Sequence, residues 1–140
     1  MNTKKNPVQT PIITITNSDD FQLVESYKAL RTNLLFSLPA REASHCRKIL
    51  FTSAAPGDGK TTTTVNLALT LTEIETRVLL IDADMRKPTQ RLLWNVRTTS
   101  GLCDYLAAIR PLETARVEDL PLSLICTGTI PPNPSELLAS

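Results

Sequence analysis

The sequence lacks a surplus of charge of either sign. Fifteen Lys and Arg residues are balanced by 14 Asp and Glu residues, which leaves a net charge of +1 over 140 residues. A chain so close to neutral generates no field that would attract nucleic acid or an anionic membrane. We therefore expect no nucleic-acid partner. The length is that of one domain at most.

Cysteine, histidine and long apolar runs are also scarce. The three cysteines are widely spaced with no C-x-x-C arrangement, so the sequence predicts neither a disulfide framework nor a zinc site and suits a reducing cytosol. The one histidine, His45, has no carboxylate or nucleophile at a meaningful spacing and is expected to be idle. No apolar stretch approaches the ~20 residues that span a bilayer, which predicts a soluble chain.

The chain begins with an arm and a helix. Residues 1–18 mix proline, asparagine and threonine with an isoleucine alternation at 12–15, which predicts a flexible arm that ends in an edge strand. Asp19, followed three residues later by Gln22, resembles a capping box. Apolar residues at helical spacing then predict a first helix that continues as far as Pro39.

Two short apolar runs predict buried parallel strands. Ile49–Phe51 leads into a glycine-rich loop, and Val78–Ile81 follows after one helix whose apolar spacing starts directly behind that loop. This separation suits a strand, helix, strand crossover in a parallel sheet. Further predicted elements are helices at 89–94 and 100–109, a strand at 122–126 and a final helical turn.

The glycine-rich loop, SAAPGDGKTT at residues 53–62, matches the phosphate-binding P-loop pattern A-x4-G-K-T. Its glycines let backbone N–H groups approach phosphate oxygens, and the helix N-terminus behind it adds partial positive charge. Lys60 is expected to reach the β- and γ-phosphates of ATP, and the Thr61 hydroxyl to ligate Mg²⁺. The predicted nucleotide-binding residues of the loop are Pro56, Gly57, Asp58, Gly59, Lys60, Thr61 and Thr62.

Two carboxylates, Asp82 and Asp84, follow the second apolar run in VLLIDADMRKP. Ligands of open α/β sheets bind beyond the carboxyl ends of the strands, so both acids are expected in the crevice of the P-loop. One could help to hold Mg²⁺ and the other could orient or accept a proton from an incoming hydroxyl, while Arg86 steadies phosphate charge. The alternative is that each aspartate is an ordinary N-cap or turn residue. The predicted catalytic residues are Lys60, Asp82 and Asp84, and the predicted metal ligands are Thr61, Asp82 and Asp84.

With both motifs in place, the sequence resembles the bacterial tyrosine kinases of capsule and exopolysaccharide synthesis, the CpsD/CapB type. Five segments carry the resemblance in the expected order, from about residue 21 to the end: ESYKALRTNLLFS, TSAAPGDGKTTTTVNLALTL, VLLIDADMRKP, SGLCDYL and GTIPPNPSELL. The resemblance implies a P-loop NTPase of the α/β class, with a parallel sheet flanked by helices in three layers (αβα). Residues 19–140 would be the N-terminal part of such a kinase domain, and the fold would be incomplete.

The resemblance also implies an activity and partners. It implies a cytoplasmic, autophosphorylating kinase that transfers the γ-phosphoryl group of ATP to protein tyrosines with Mg²⁺. A transmembrane polysaccharide co-polymerase would activate it and recruit it to the inner face of the plasma membrane. The family pattern Glu-x-x-Arg-x-x-Arg, linked to ring-like self-association, corresponds here to Glu25, Lys28 and Arg31. Lys28 departs from that pattern, because lysine lacks the planar, bidentate guanidinium of arginine. The alternative to a self-association site is a solvated helix face that carries an i, i+3 ion pair.

Two features of the family pattern are missing, and other interpretations stay open. The third nucleotide motif is expected beyond PPNPSELL, and in place of a tyrosine-rich tail there are only Tyr27 and Tyr105.

Two alternatives to the kinase interpretation stay open. A partitioning or division-site ATPase would carry a signature lysine where this chain has Ala55, and the other alternative is a truncated, non-catalytic nucleotide-binding chain. Trp94 could stack on adenine, although a core position is favoured. Three strands with few neighbours predict low stability in isolation.

Overall fold

The computed structural model of the chain describes residues 14–39 and 46–139. Most of the predicted arm and His45 therefore lie outside the described residues. Within the described ranges, no helix is both long and apolar enough to cross a membrane. The elements follow in the order α1 (Phe21–Ser37), α2 (Lys60–Thr72), β1 (Val78–Ile81), α3 (Gln90–Leu93), α4 (Leu102–Leu106), β2 (Ala115–Arg116), β3 (Leu122–Ile125) and α5 (Pro134–Ala139).

The sheet is small and mixed, with the strand order β1-β3-β2. β1 and β3 are parallel, in a register that places Val78 opposite Leu122 and Ile81 opposite Ile125. β2 pairs with β3 in the antiparallel direction and was not predicted, because two residues carry too little periodicity to be noticed. The α/β class and the parallel pairing of β1 with β3 are thus confirmed, and the antiparallel strand β2 makes the sheet mixed.

Helix α1 is capped one residue later than predicted. The carboxylate of Asp20 accepts hydrogen bonds from the N–H groups of Gln22 at 2.9 Å and Leu23 at 3.2 Å. Asp20 rather than Asp19 therefore satisfies the unpaired amides of the first turn. The helix ends at Ser37, before Pro39, because a residue that precedes proline is disfavoured in the helical conformation.

Helix α2 lies between α1 and the sheet, and it supplies the centre of the core. It is buried on most of its circumference, including the polar residues Asn66 and Thr70. Asn66 Oδ1 accepts the N–H of Ile15 at 2.8 Å and ties a 3-10 turn, Ile15–Asn17, to the helix. Ile15 therefore begins a helical turn instead of ending the predicted edge strand. The core cluster consists of Ile15, Val65, Ala68, Leu69, Leu80, Leu122 and Leu124.

The strand predicted at Ile49–Phe51 does not form. Ile49 and Leu50 are 40% and 88% exposed, and among the described residues no backbone hydrogen bond joins residues 47–53 to another segment. A cavity of about 530 Å³ separates this segment from the β1 edge that does not face β3, and Leu35, Phe51, Leu67, Leu71, Val78 and Leu80 are among its lining residues. An apolar run becomes a strand only where a neighbour can accept its hydrogen bonds, and here that neighbour is out of reach.

The charged residues of α1 do not act as one group. Glu25 Oε1 and Lys28 Nζ lie 3.2 Å apart on the exposed face. Arg31 points the other way: its guanidinium donates to the carbonyl oxygen of Thr70 and lies 3.2 Å from Glu73 Oε2, with only 15% of its side chain exposed. Of the three residues predicted to mediate self-association, Arg31 is thus used within the chain to fix α1 on the C-terminal end of α2.

Candidate active site

The P-loop is held open by its two glycines and by one aspartate. Gly57 and Gly59 have φ angles of +91° and +85°, in the left-handed region where a side chain would be strained. Asp58 Oδ2 accepts the N–H of Ala55 at 2.9 Å and closes the turn. The first backbone bond of α2 runs from Thr63 N to Gly59 O at 2.8 Å. In the described part of the chain, the amides of residues 57–62 have no acceptor, so they remain available to an anion at the N-terminus of a 13-residue helix.

Lys60 and Asp84 face each other across this loop. Lys60 Nζ lies 3.4 Å from Asp84 Oδ2, and the two side chains are 32% and 38% exposed. Asp84 Oδ1 accepts the N–H groups of Lys87 at 2.9 Å and Arg86 at 3.2 Å. These bonds, that of Lys87 first, hold the pKa of Asp84 below its ordinary value, and Lys60 adds to the effect. Asp84 is therefore an ionised carboxylate, with one oxygen fixed by backbone and the other directed to the P-loop.

Asp82 has a different environment. It is 6% exposed, its Oδ1 accepts the N–H of Asp84 at 3.2 Å, and its Oδ2 accepts the N–H groups of Thr89 and Gln90, each at 3.1 Å. Burial raises the pKa of this carboxyl, although the three amides oppose that shift. Asp82 thus binds the amides at the start of α3, whose N-cap residue is Thr89, and shapes the loop that carries Asp84.

The remaining predicted site residues lie around the same loop. Thr61 and Thr62 occupy the first turn of α2 and are half-buried. Arg86 is exposed, and its backbone N–H contacts Asp84. Thr64, in the same threonine run, donates its hydroxyl to the Lys60 carbonyl oxygen at 2.8 Å, so it is occupied by the helix itself.

The contacts of Trp94 belong to the core. It is half-buried against the core cluster, and its indole N–H donates to Gln90 Oε1 at 2.9 Å. Tyr27 likewise packs against the core, whereas Tyr105 on α4 is 53% exposed. The core interpretation of Trp94 is confirmed.

Sequence reasoning missed two buried polar residues near the site. Thr127 is 1% exposed and donates its hydroxyl to the carbonyl oxygen of Asp82 at 2.8 Å. Asp104 is 3% exposed and accepts the N–H of Gly101 at 2.9 Å, at the start of α4. Asp104 is three residues after the N-cap residue Gly101, but glycine has no side chain and the Ser/Thr-x-x-Glu/Gln pattern of a capping box is absent, so the sequence does not mark Asp104. No local signal marks Thr127.

Comparison with known proteins identifies the family. The profile described as an AAA domain matches residues 46–118, more than half of the 140 residues, and this stretch holds both the P-loop and the two aspartates. The chain belongs to this AAA domain family. The P-loop α/β fold predicted from the sequence is thereby confirmed.

Several proteins similar to this chain are named as tyrosine kinases. Tyrosine-protein kinase YwqD of Bacillus subtilis is 40% identical over 118 residues, which are 83% of this chain and 48% of that protein. Tyrosine-protein kinase ptk of Acinetobacter johnsonii is 37% identical over 142 residues, which cover 100% of this chain and 19% of that protein. The solved kinase domain of Escherichia coli tyrosine kinase ETK superposes with a TM-score of 0.78 at 33% identity, over 99% of this chain and 52% of that one. The chain thus spans about half the length of YwqD and of the ETK kinase domain, and about a fifth of the length of ptk.

Proposed function

We propose that this chain is the nucleotide-binding part of an ATP-dependent, autophosphorylating protein-tyrosine kinase that regulates capsular or exopolysaccharide synthesis and export. The observation that carries the proposal is the approach of Lys60 Nζ to within 3.4 Å of Asp84 Oδ2, beside unpaired P-loop amides. Phosphoryl transfer needs little beyond such a positioned set of charges around the phosphates. The tyrosine specificity rests on the similarity to kinases such as YwqD.

The described residues suit Mg²⁺ and ATP. Asp84 has one carboxylate oxygen that no backbone amide occupies, and Thr61 offers a hydroxyl oxygen in the first turn of α2. Oxygen atoms of this kind are the ligands that Mg²⁺ prefers. Mg²⁺, when bound, would neutralise charge on the phosphates. We assign Lys60 and the amides of residues 57–62 to the phosphates, Thr61 and Asp84 to the metal, and Arg86 to phosphate charge at the rim.

Asp82 takes a supporting role in this proposal. Both of its oxygens already accept backbone N–H groups, and it is buried beneath the loop. A direct role as metal ligand or proton acceptor would have to use the remaining lone pairs of these buried oxygens. We therefore propose that Asp82 holds Asp84 in place and that Asp84 supplies the reacting carboxylate of this pair.

The partners follow from the same similarity and remain part of the proposal. An activating transmembrane polysaccharide co-polymerase would bring the kinase to the inner face of the plasma membrane. Self-association through α1 would use Glu25 and Lys28, whose exposed pair leaves both groups accessible. Arg31 is not included, because its guanidinium is bound to the end of α2.

The activity is tested by phosphotyrosine formation in the purified protein. Wild type, Lys60→Met and Asp84→Asn are incubated with Mg-ATP and probed with an anti-phosphotyrosine antibody, with Glu113→Gln as a matched carboxylate control away from the P-loop. We expect a signal in the wild type and the control, and none in the two site variants. Phosphate release without phosphotyrosine would instead identify a partitioning-type ATPase, and nucleotide binding without either product would identify a non-catalytic chain.

A further inference from the structure

The loop that follows β3, residues 126–129, is tied on one side to Asp82. The hydroxyl of Thr127 donates to the Asp82 carbonyl oxygen at 2.8 Å, and the Asp82 N–H donates to the Ile125 carbonyl oxygen at 2.9 Å. The backbone of Asp82 is thus held on both sides of its Cα atom by the C-terminal end of β3. Because the Asp82 carboxylate accepts the N–H of Asp84, the position of Asp84 depends on this attachment.

The same loop is tied on its other side to the start of α4. The N–H groups of Leu102 and Cys103 donate to the carbonyl oxygens of Cys126 at 2.8 Å and Thr127 at 2.9 Å. Asp104 Oδ2 accepts the N–H of Thr129 at 3.2 Å in addition to that of Gly101. A buried carboxylate with several donors is a firm anchor. The α4 N-terminus and the β3 loop therefore move together.

Two glycines allow this close contact. A Cβ atom on Gly101 would collide with the backbone of Gly128 and Cys126, and a Cβ atom on Gly128 would collide with the carboxylate of Asp104. Gly128 also has a φ angle of +79°, which favours glycine for a second reason. The two backbones therefore touch directly, with no side chain between them to absorb a displacement.

We infer that Thr127 and Asp104 are positioning residues that set the place of the Asp84 carboxylate beside Lys60. Thr127 acts on the backbone of Asp82, and Asp104 acts one step further away by anchoring the loop that carries Thr127. Neither side chain reaches the P-loop itself. The inference rests on the proposed function, since the place of Asp84 matters when it serves a metal and a nucleotide.

The test measures how Mg²⁺ changes the ADP affinity of the purified protein. Thr127→Val removes the hydroxyl with little change of size, and we expect the Mg²⁺-dependent gain in ADP affinity to fall about tenfold, as for other residues that orient a metal ligand. The affinity measured in EDTA should stay unchanged, and Thr127→Ser should restore the gain. Glu113→Gln is the matched control, because Glu113 similarly accepts the N–H and hydroxyl of Thr99 without contacting Asp82.

A second measurement does not depend on ligand binding. Amide hydrogen exchange at Asp84, Arg86 and Lys87 should become faster in Asp104→Asn and Thr127→Val but not in the Glu113→Gln control. Unchanged exchange at these three amides would overturn the inference, and so would an equal loss of ADP affinity with and without Mg²⁺. If the wild type binds no ADP, the proposed function fails, and the exchange data still decide whether the two residues hold the loop.

Discussion

Lys60 Nζ lies 3.4 Å from Asp84 Oδ2, at the N-terminus of α2. Since the side chains are 32% and 38% exposed, water screens this ion pair and it contributes little to folding stability. Its effect is local: it holds a positive charge and a carboxylate oxygen together beside the P-loop amides. The proximity of Lys60 to Asp84 is therefore better explained by a role in ligand binding than by a contribution to folding stability.

Lys60→Met is expected to weaken nucleotide binding without unfolding the protein. A hydrogen bond to a charged group is worth about 2 kcal/mol, which is roughly a thirtyfold increase in Kd. A titration with fluorescent ADP measures the change, and the midpoint of thermal unfolding serves as the control for folding. Undiminished ADP affinity in Lys60→Met would contradict the assignment of this residue to the phosphates.

Asp82 and Asp84 are expected to differ in their effects on stability. Asp82→Ala leaves three backbone amides without their acceptor in a buried place, which should lower the free energy of unfolding by about 1 to 3 kcal/mol. Asp84→Ala should change it by less, within about 1 kcal/mol, because Asp84 is more exposed. Urea unfolding of the two variants compares them directly. An equal loss in both would mean that Asp82 has no special structural role.

Arg31 is expected to stabilise the fold more than its neighbour Lys28. Arg31→Gln removes the ion pair with Glu73 and weakens the bond to the Thr70 carbonyl, which should cost about 1 to 2 kcal/mol of unfolding free energy. Lys28→Gln breaks only an exposed pair with Glu25 and should cost less than about 0.5 kcal/mol. Chemical denaturation gives both values. If Arg31→Gln leaves stability unchanged but abolishes self-association, the residue belongs to an interface instead.

The contribution of Asp104 to stability is expected to depend on pH. Hydrogen bonds, first from the Thr129 side chain and then from the N–H groups of Thr129 and Gly101, hold the pKa of Asp104 below its ordinary value of 3.8. A carboxyl whose pKa is lower in the folded state stabilises the fold above its ordinary pKa, and this stabilisation is lost as pH falls through the folded pKa. The stability difference between wild type and Asp104→Asn should therefore shrink below about pH 4.

Unfolding measurements at neutral and acidic pH test this expectation. Asp82 should show the opposite pH dependence. Burial raises its pKa, so its contribution to the free energy of unfolding is lost as pH rises through its folded pKa. A difference between wild type and Asp104→Asn that stays constant from neutral pH down to about pH 3 would contradict the role given to the Asp104 carboxylate.

The 140-residue chain alone is expected to unfold without a sharp transition. Leu79 and Ile81 point to the face of β1 opposite the buried Leu80 and are about half exposed, so this face of the sheet lacks cover. Thermal unfolding followed by circular dichroism should be broad, and an apolar dye should bind before unfolding. A single cooperative transition without dye binding would show that the three strands suffice.

Local patterns predicted several elements well. Helices α1 and α2, strands β1 and β3 and the P-loop were all placed correctly, because apolar periodicity and glycine spacing act over a few neighbouring residues. The strand at Ile49–Phe51 failed, since an apolar run does not reveal whether a partner strand is within reach. The capping-box spacing of Asp19 and Gln22 pointed to the wrong residue, because Asp20, which lacks that spacing, accepts the amides of the first turn.

The sequence by itself determined that a phosphate-binding loop precedes a helix and that two aspartates follow a strand, because these properties depend on adjacent residue types. Only the tertiary structure decided how the aspartates differ. Asp82 is buried under three amides and the Thr127 hydroxyl, whereas Asp84 turns one oxygen towards Lys60. This difference between Asp82 and Asp84 depends on the β3 loop and the α4 N-terminus. Because both come from distant parts of the chain, they leave no local pattern at positions 82 and 84.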